Sequence, residues 1–161
     1  MRNGYALCSI AGLRAIEAYL NALSETETDV LRGLLRIGVQ NDVEVTIGSL
    51  PGPLVSQAFC SALPVAYTRI VPDRWEAFAK LVLEAAYEAT LLAAILNTRR
   101  GRSNIVLLTR LGGGAFGNDD NWITTAMRRA LTKFLDHDLE LRLVSFGPPP
   151  PSMLALEKSF S

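Results

Sequence analysis

Asn104-Ile105-Val106-Leu107-Leu108-Thr109-Arg110-Leu111-Gly112-Gly113-Gly114-Ala115-Phe116-Gly117-Asn118-Asp119-Asp120 holds most of what the chain discloses about itself. Residues 104–109 are continuously apolar after Asn104, the pattern of a strand covered on both faces. Leu111 to Asn118 is a glycine-rich loop. Asp119 to Leu135 then places Ile123, Ala126, Met127, Ala130, Leu131 and Phe134 on one helical face. Leu139 to Phe146 is a further strand, so the segment reads strand, glycine loop, helix, strand. Such units build parallel sheets, and ligands sit at the carboxyl ends of their strands. The glycine loop is at one of those ends.

Upstream, Ser9 to Leu23 spaces Ile10, Leu13, Ile16, Leu20 and Leu23 as an amphipathic helix. Ser24-Glu25-Thr26-Glu27 is a capping box that opens a second helix toward Gly38. Val43 to Ile47 alternates as a strand, 48–53 is a loop, and Leu54 to Leu63 is a buried strand. Val65 to Val71 reads as another short strand. Pro72 and Asp73 start the longest helix, which Gly101 closes. Its apolar face is rich in alanine. The expected fold is α/β, a small three-layer sandwich with a mixed sheet, over residues 1–147 as one domain. Residues 148–161 are expected to be a proline-rich exit and tail.

Composition excludes several classes. The chain has 161 residues, 49% hydrophobic and 20% charged, which suits one folded domain. Sixteen basic and sixteen acidic residues cancel, removing the broad positive field of a general nucleic-acid binder. Two distant cysteines, Cys8 and Cys60, and the single His137 supply neither a disulfide framework nor a typical zinc site. Glu84 and Glu88 interrupt the most apolar run, against a membrane span. No secretory pattern opens the chain, so a reduced, cytoplasmic protein without metal or cofactor is expected.

Three consecutive glycines let the backbone approach a ligand and adopt positive φ. Their N–H groups, with the following helix N-terminus, form a site suited to a diphosphate. Gly112, Gly114 and Gly117 also satisfy G-x-G-x-x-G. The helix starts after that motif, however, no acid ends the next strand, and no lysine follows Gly117. A dinucleotide dehydrogenase and a P-loop NTPase both lose ground.

The strand, the glycine loop with Phe116, and the helix and strand that follow resemble the second ligand loop of macrodomains. The resemblance spans about residues 43 to 147 and extends to a divergent group with a bacterial effector that hydrolyses ADP-ribosyl linkages. It implies that Gly112, Gly113, Gly114, Ala115, Phe116 and Gly117 wrap the diphosphate and distal ribose of ADP-ribose. Phe116 would be the aromatic beside the ribose. Val55 to Leu63 would correspond to the first ligand strand and loop, with Ser56, Gln57 and Ser61 as polar contacts. Residues 56–67 lack the Asn-Ala-Ala-Asn sequence of that loop. The early Gly-Asp-Ile element is also missing, with Asp42 as a candidate substitute. The expected strand count falls below the six or so of a macrodomain, as in a reduced or truncated copy.

Around the loop, Arg110 could reach a phosphate and Asn118 could offer an amide. Asp119 and Asp120 could position water at the anomeric carbon, or simply cap the helix. Trp122, Cys8 and Cys60 read as packing residues. Arg99, Arg100 and Arg102 lie roughly 20 Å from the loop, at the other end of the strand. Lys80, Glu84 and Glu88, four residues apart, suggest a solvated stripe.

The expected function is binding of ADP-ribose or of an ADP-ribosylated protein, with hydrolysis of the ADP-ribosyl bond as its extension. The alternatives are a non-catalytic nucleotide or ADP-ribose reader and, more distantly, a fragment of an NAD-dependent oxidoreductase. No membrane partner is expected.

Overall fold

In the computed structural model, which describes residues 4–160, the chain is mixed α/β. Helices α1 (Ile10–Asn21) and α2 (Glu25–Gly33) precede strands β1 (Gly38–Glu44) and β2 (Leu54–Phe59). Helix α3 (Glu76–Arg99), strand β3 (Ile105–Thr109), helix α4 (Asp120–Lys133), strand β4 (Glu140–Val144) and helix α5 (Pro151–Lys158) follow.

The helix starts obey local chemistry. The Ser9 hydroxyl accepts the Gly12 N–H at 3.1 Å. Ser24 and Glu27 form the reciprocal capping box, which satisfies two N–H groups that a helix end leaves free. Asp119 caps α4 through the Asn121 N–H at 2.8 Å. Gly101 ends α3 at φ 75°.

The core lies where α3 meets α4 and both meet β3. Leu83, Leu91, Ile123 and Met127 are fully buried there, with Val106 and Leu108 beneath them. β3 and β4 pair in parallel, Ile105 opposite Glu140 through Thr109 opposite Val144. This is the expected βαβ unit. β1 and β2 form a separate antiparallel hairpin, with a bulge between Gln40 and Val43.

Several expectations change. The strands form two two-stranded sheets, not one mixed sheet. Ile105 and Leu107 are 41% and 61% exposed, so β3 is covered on one face only. β1 begins at Gly38 and ends before Ile47, because its pairing with β2, not its own alternation, sets its limits. Residues 65–71 form no strand. Val65–Tyr67 is a 3-10 turn whose Val65 enters the core, and another 3-10 turn, Pro72–Trp75, leads into α3.

Residues 148–161 are not merely an exit. Pro151 sits in the first turn of α5, whose Met153 and Leu156 are buried. A proline run stiffens a chain but does not prevent a helix from starting at its last member.

Glu84 and Glu88 are not a solvated stripe. Both are buried beneath basic residues of neighbouring helices. Glu84 pairs with Arg32 of α2 at 2.8 Å, and Glu88 with Arg129 and Lys133 of α4 at 2.5 and 2.7 Å. Lys80 pairs with Glu76 instead. Spacing within one helix could not show which flank the partner helices would cover. Arg32 and Arg129 also hold Glu25 and Asp29, so the network ties α2 to the α3–α4 pair. Among the described residues no helix is long and apolar enough to cross a membrane.

Candidate functional site

The glycine loop sits at the carboxyl end of β3, and two devices fix it. Tyr87 of α3 donates its phenol hydrogen to the Thr109 carbonyl at 2.8 Å and accepts the Leu111 N–H at 2.9 Å. Burial pushes this phenol well above its ordinary pKa, so it stays protonated as a donor. The second device is Asn118, 5% exposed. Its amide donates to the Leu63 carbonyl at 2.8 Å and, more weakly, to that of Gly112 at 3.4 Å. Expected at the ligand, Asn118 is instead an internal latch between the loop and residues 62–66.

The glycines divide by role. A Cβ on Gly112 would lie 2.3 Å from Ala62 Cβ, and one on Gly117 would lie 2.7 Å from Ala66 Cβ. Both have positive φ, at 75° and 67°, so the fold itself requires glycine at these positions. At Gly113 a Cβ would press on Ile123 and the Arg110 guanidinium at 3.1 and 3.3 Å. Gly114 differs: its Cβ would meet nothing within 4 Å, and its φ is ordinary. Neither packing nor backbone strain asks for a glycine there.

The loop's N–H groups divide in the same way. Those of Leu111, Gly113, Gly117 and Asn118 bond carbonyls of 109, 110, 114 and 112. Those of Gly112, Gly114, Ala115 and Phe116 have no acceptor among the described residues. Three successive N–H groups without an acceptor thus fall in the turn at 114–116.

Beside this turn stands an aromatic cluster. Tyr5, Tyr67 and Phe116 meet edge to face, with ring centroids 5.1, 5.3 and 6.0 Å apart. Tyr5 and Tyr67 are partly exposed. The Ala66 N–H to Phe116 carbonyl bond, 3.0 Å, holds the cluster to the loop. Of these rings the sequence points to Phe116. Tyr5 and Tyr87 were missed, since an isolated tyrosine before a helix, or within an apolar helical face, carries no signal of a distant loop.

Arg110 folds back under Gly113 and pairs with Asp120, which also accepts from the Ser152 hydroxyl of α5. Burial alone would raise the Asp120 pKa, but the bonds from Ser152 and Arg110 together hold it below its ordinary value. Both its oxygens are therefore engaged. Asp119 is exposed and uses one oxygen for the cap. Ser61 adjoins Ala62 and thus the loop, with its hydroxyl on the Ala62 carbonyl. Ser56 is not brought there. It bonds Asn97, ten residues along α3 from Tyr87, about 15 Å at helical rise. Gln57 lies one strand residue nearer, opposite Gln40.

The remaining residues fall away from the site. Asp42 pairs with Arg100 and Arg102 at the far end. Trp122 is buried in the core. Cys8 and Cys60 are free thiols, and burial raises the pKa of each, which favours the protonated form. No group of His, Cys, Asp and Glu among the described residues is arranged to hold a metal ion.

No family model, curated protein or solved structure matches this chain significantly.

Proposed function

We propose that this protein binds ADP-ribose, free or attached to a protein, at the 114–116 turn and its aromatic cluster. The reading rests on Gly114: a glycine that the fold does not need, in a turn whose three successive N–H groups find no acceptor among the described residues. A diphosphate satisfies such groups. Tyr67, Phe116 and Tyr5 offer ring faces and edges to a ribose or an adenine. The macrodomain-like arrangement of a strand, this loop and a following helix supports the same ligand.

The binding reading is favoured over the hydrolytic one. Asp120 is committed to Arg110 and Ser152, which leaves Asp119 as the one carboxylate beside the loop with a free oxygen. Calorimetric titration with ADP-ribose, AMP and NAD tests the proposal. ADP-ribose should bind more tightly than AMP, which lacks the second phosphate, and folded Gly114→Val should lose that preference. A Gly114→Val protein that binds ADP-ribose as well as the parent refutes it. Release of ADP-ribose from a modified protein, abolished in Asp119→Asn, would extend the function to hydrolysis.

A further inference from the structure

The inner face of the β3–β4 sheet is covered unevenly. Val106 and Leu108 of β3 are buried beneath the helices. Their cross-strand partners on β4 are Leu141 and Leu143, and paired residues point to the same side of a sheet. Leu141 is nevertheless 38% exposed and Leu143 only half-buried. Helix α5 is the element placed to cover them, but it packs on α4 and not comparably on β4. Between α4, β4 and α5 there remains a cavity of about 590 Å³.

The anchors of α5 keep it off β4. Near its start the Ser152 hydroxyl donates to Asp120, in the first turn of α4. Just past its end the Ser159 hydroxyl accepts from Arg128 at 2.6 Å. The same guanidinium lies over Phe160, 6.0 Å from the ring centroid. Between these anchors Met153 and Leu156 are buried and reach the cavity wall. A helix tied to α4 at both ends cannot drop onto β4 without breaking those bonds, so the gap is part of the fold.

The lining states the chemistry of what fits. Leu131, Leu135, Leu139, Leu141, Leu143 and Leu154 supply much of the wall, aliphatic groups without a hydrogen-bonding atom. Leu139 to Leu143 extends about 13 Å along the strand, so the cavity is a trough that suits a chain. Its size lies within the roughly 300–1,000 Å³ of ligand pockets, which are mostly apolar with a few polar groups. The polar lining is His137, Arg142 and Glu157. Arg142 is paired with Glu140 at 2.5 Å. Even with His137 protonated, these four groups carry no net positive charge, so nothing there favours a carboxylate.

We infer that the trough between β4 and α5 binds one unbranched aliphatic chain that carries an uncharged polar head. The chain covers Leu141 and Leu143 as the helices cover Val106 and Leu108, and removal of this apolar surface from water drives binding. The head meets the polar lining and water. A small molecule suits the trough better than a protein surface does, because α5 walls it on one side and the buried Met153 and Leu156 reach into it. The inference is independent of nucleotide binding.

The test is titration of the 161-residue chain with 1-hexanol, 1-octanol and 1-decanol, followed by backbone amide shifts in nuclear magnetic resonance. The shifts should saturate and cluster in 131–143 and 149–160, leaving 112–117 unmoved. Each added methylene should tighten binding about fourfold, the equivalent of about 0.8 kcal/mol per buried CH₂. Octanoate should bind more weakly than 1-octanol. Leu141→Trp, which fills the trough, should abolish binding while circular dichroism shows the helices intact, and if that variant does not fold, the chain-length series in the parent decides alone. The inference is overturned by the absence of saturable shifts, by an affinity independent of chain length, or by octanoate binding more tightly than 1-octanol. Folded Leu141→Trp that binds as the parent does also overturns it. So do shifts in 131–143 that follow protein concentration without any alcohol, which would mean that a second copy covers this face.

Discussion

Gly112 and Gly114 stand two residues apart in one loop and should respond oppositely to the same methyl group. At Gly112, alanine must adopt φ 75°, which costs about 1–2 kcal/mol for a residue with a Cβ. Its methyl would fall 2.3 Å from Ala62 and 2.7 Å from the Asn118 amide nitrogen. Both neighbours sit on packed backbone, so the latch to the Leu63 carbonyl must open. The Val65 N–H still holds that carbonyl, but depriving the buried Asn118 amide of its acceptor costs about 1–3 kcal/mol. Together Gly112→Ala should lose about 2–5 kcal/mol, a large share of the roughly 5–15 kcal/mol that a domain possesses. At Gly114 there is neither strain nor contact, and alanine there should stabilise by about 0.4–1 kcal/mol, because it restricts the unfolded chain. Urea unfolding followed by circular dichroism reads both. If Gly112→Ala lies within about 1 kcal/mol of the parent, or Gly114→Ala costs more than about 2 kcal/mol, the loop does not lie on residues 62–66 as described.

Replacing Glu84 by alanine should cost about 2–3 kcal/mol, below the usual 3–5 for a broken buried pair, because Glu25 and Asp29 still hold Arg32. The double change Arg32→Met with Glu84→Leu should recover most of that loss in chemical denaturation. An equal loss in both proteins would contradict the desolvation argument. The lowered carboxyl pKa values of Glu25, held by Arg129 and Arg32, and of Asp120 set the acid response. Their stabilisation is complete above about pH 5 and lost as pH falls through the folded pKa values, below about pH 4. A melting temperature that rises between pH 5 and pH 3 would reverse that sign. Replacing Arg99, Arg100 and Arg102 together by alanine removes only exposed pairs with Asp42. Stability should fall by no more than about 1 kcal/mol per pair. ADP-ribose affinity should change less than tenfold, and a larger loss in titration would put these arginines at the ligand.

Much of the local chemistry was legible in the sequence, although the 3-10 turn at Val65–Tyr67 and helix α5 were not. Ser9, Ser24 with Glu27, Asp119 and Gly101 each mark a helix end through bonds made within a few residues, and the βαβ unit of β3, α4 and β4 follows from hydrophobic period. What lies beyond one element was not legible. Whether β2 pairs with β1 or β3 depends on edges that no pattern within β2 specifies. The burial of Glu84 and Glu88 depends on Arg32, Arg129 and Lys133 arriving from two other helices. The glycine run announced a loop, but only the tertiary structure separates Gly112 and Gly117, fixed by Ala62 and Ala66, from Gly114, which touches nothing. Hydrogen bonds to near neighbours are written in spacing, whereas desolvation and steric fit depend on atoms brought in from far along the chain.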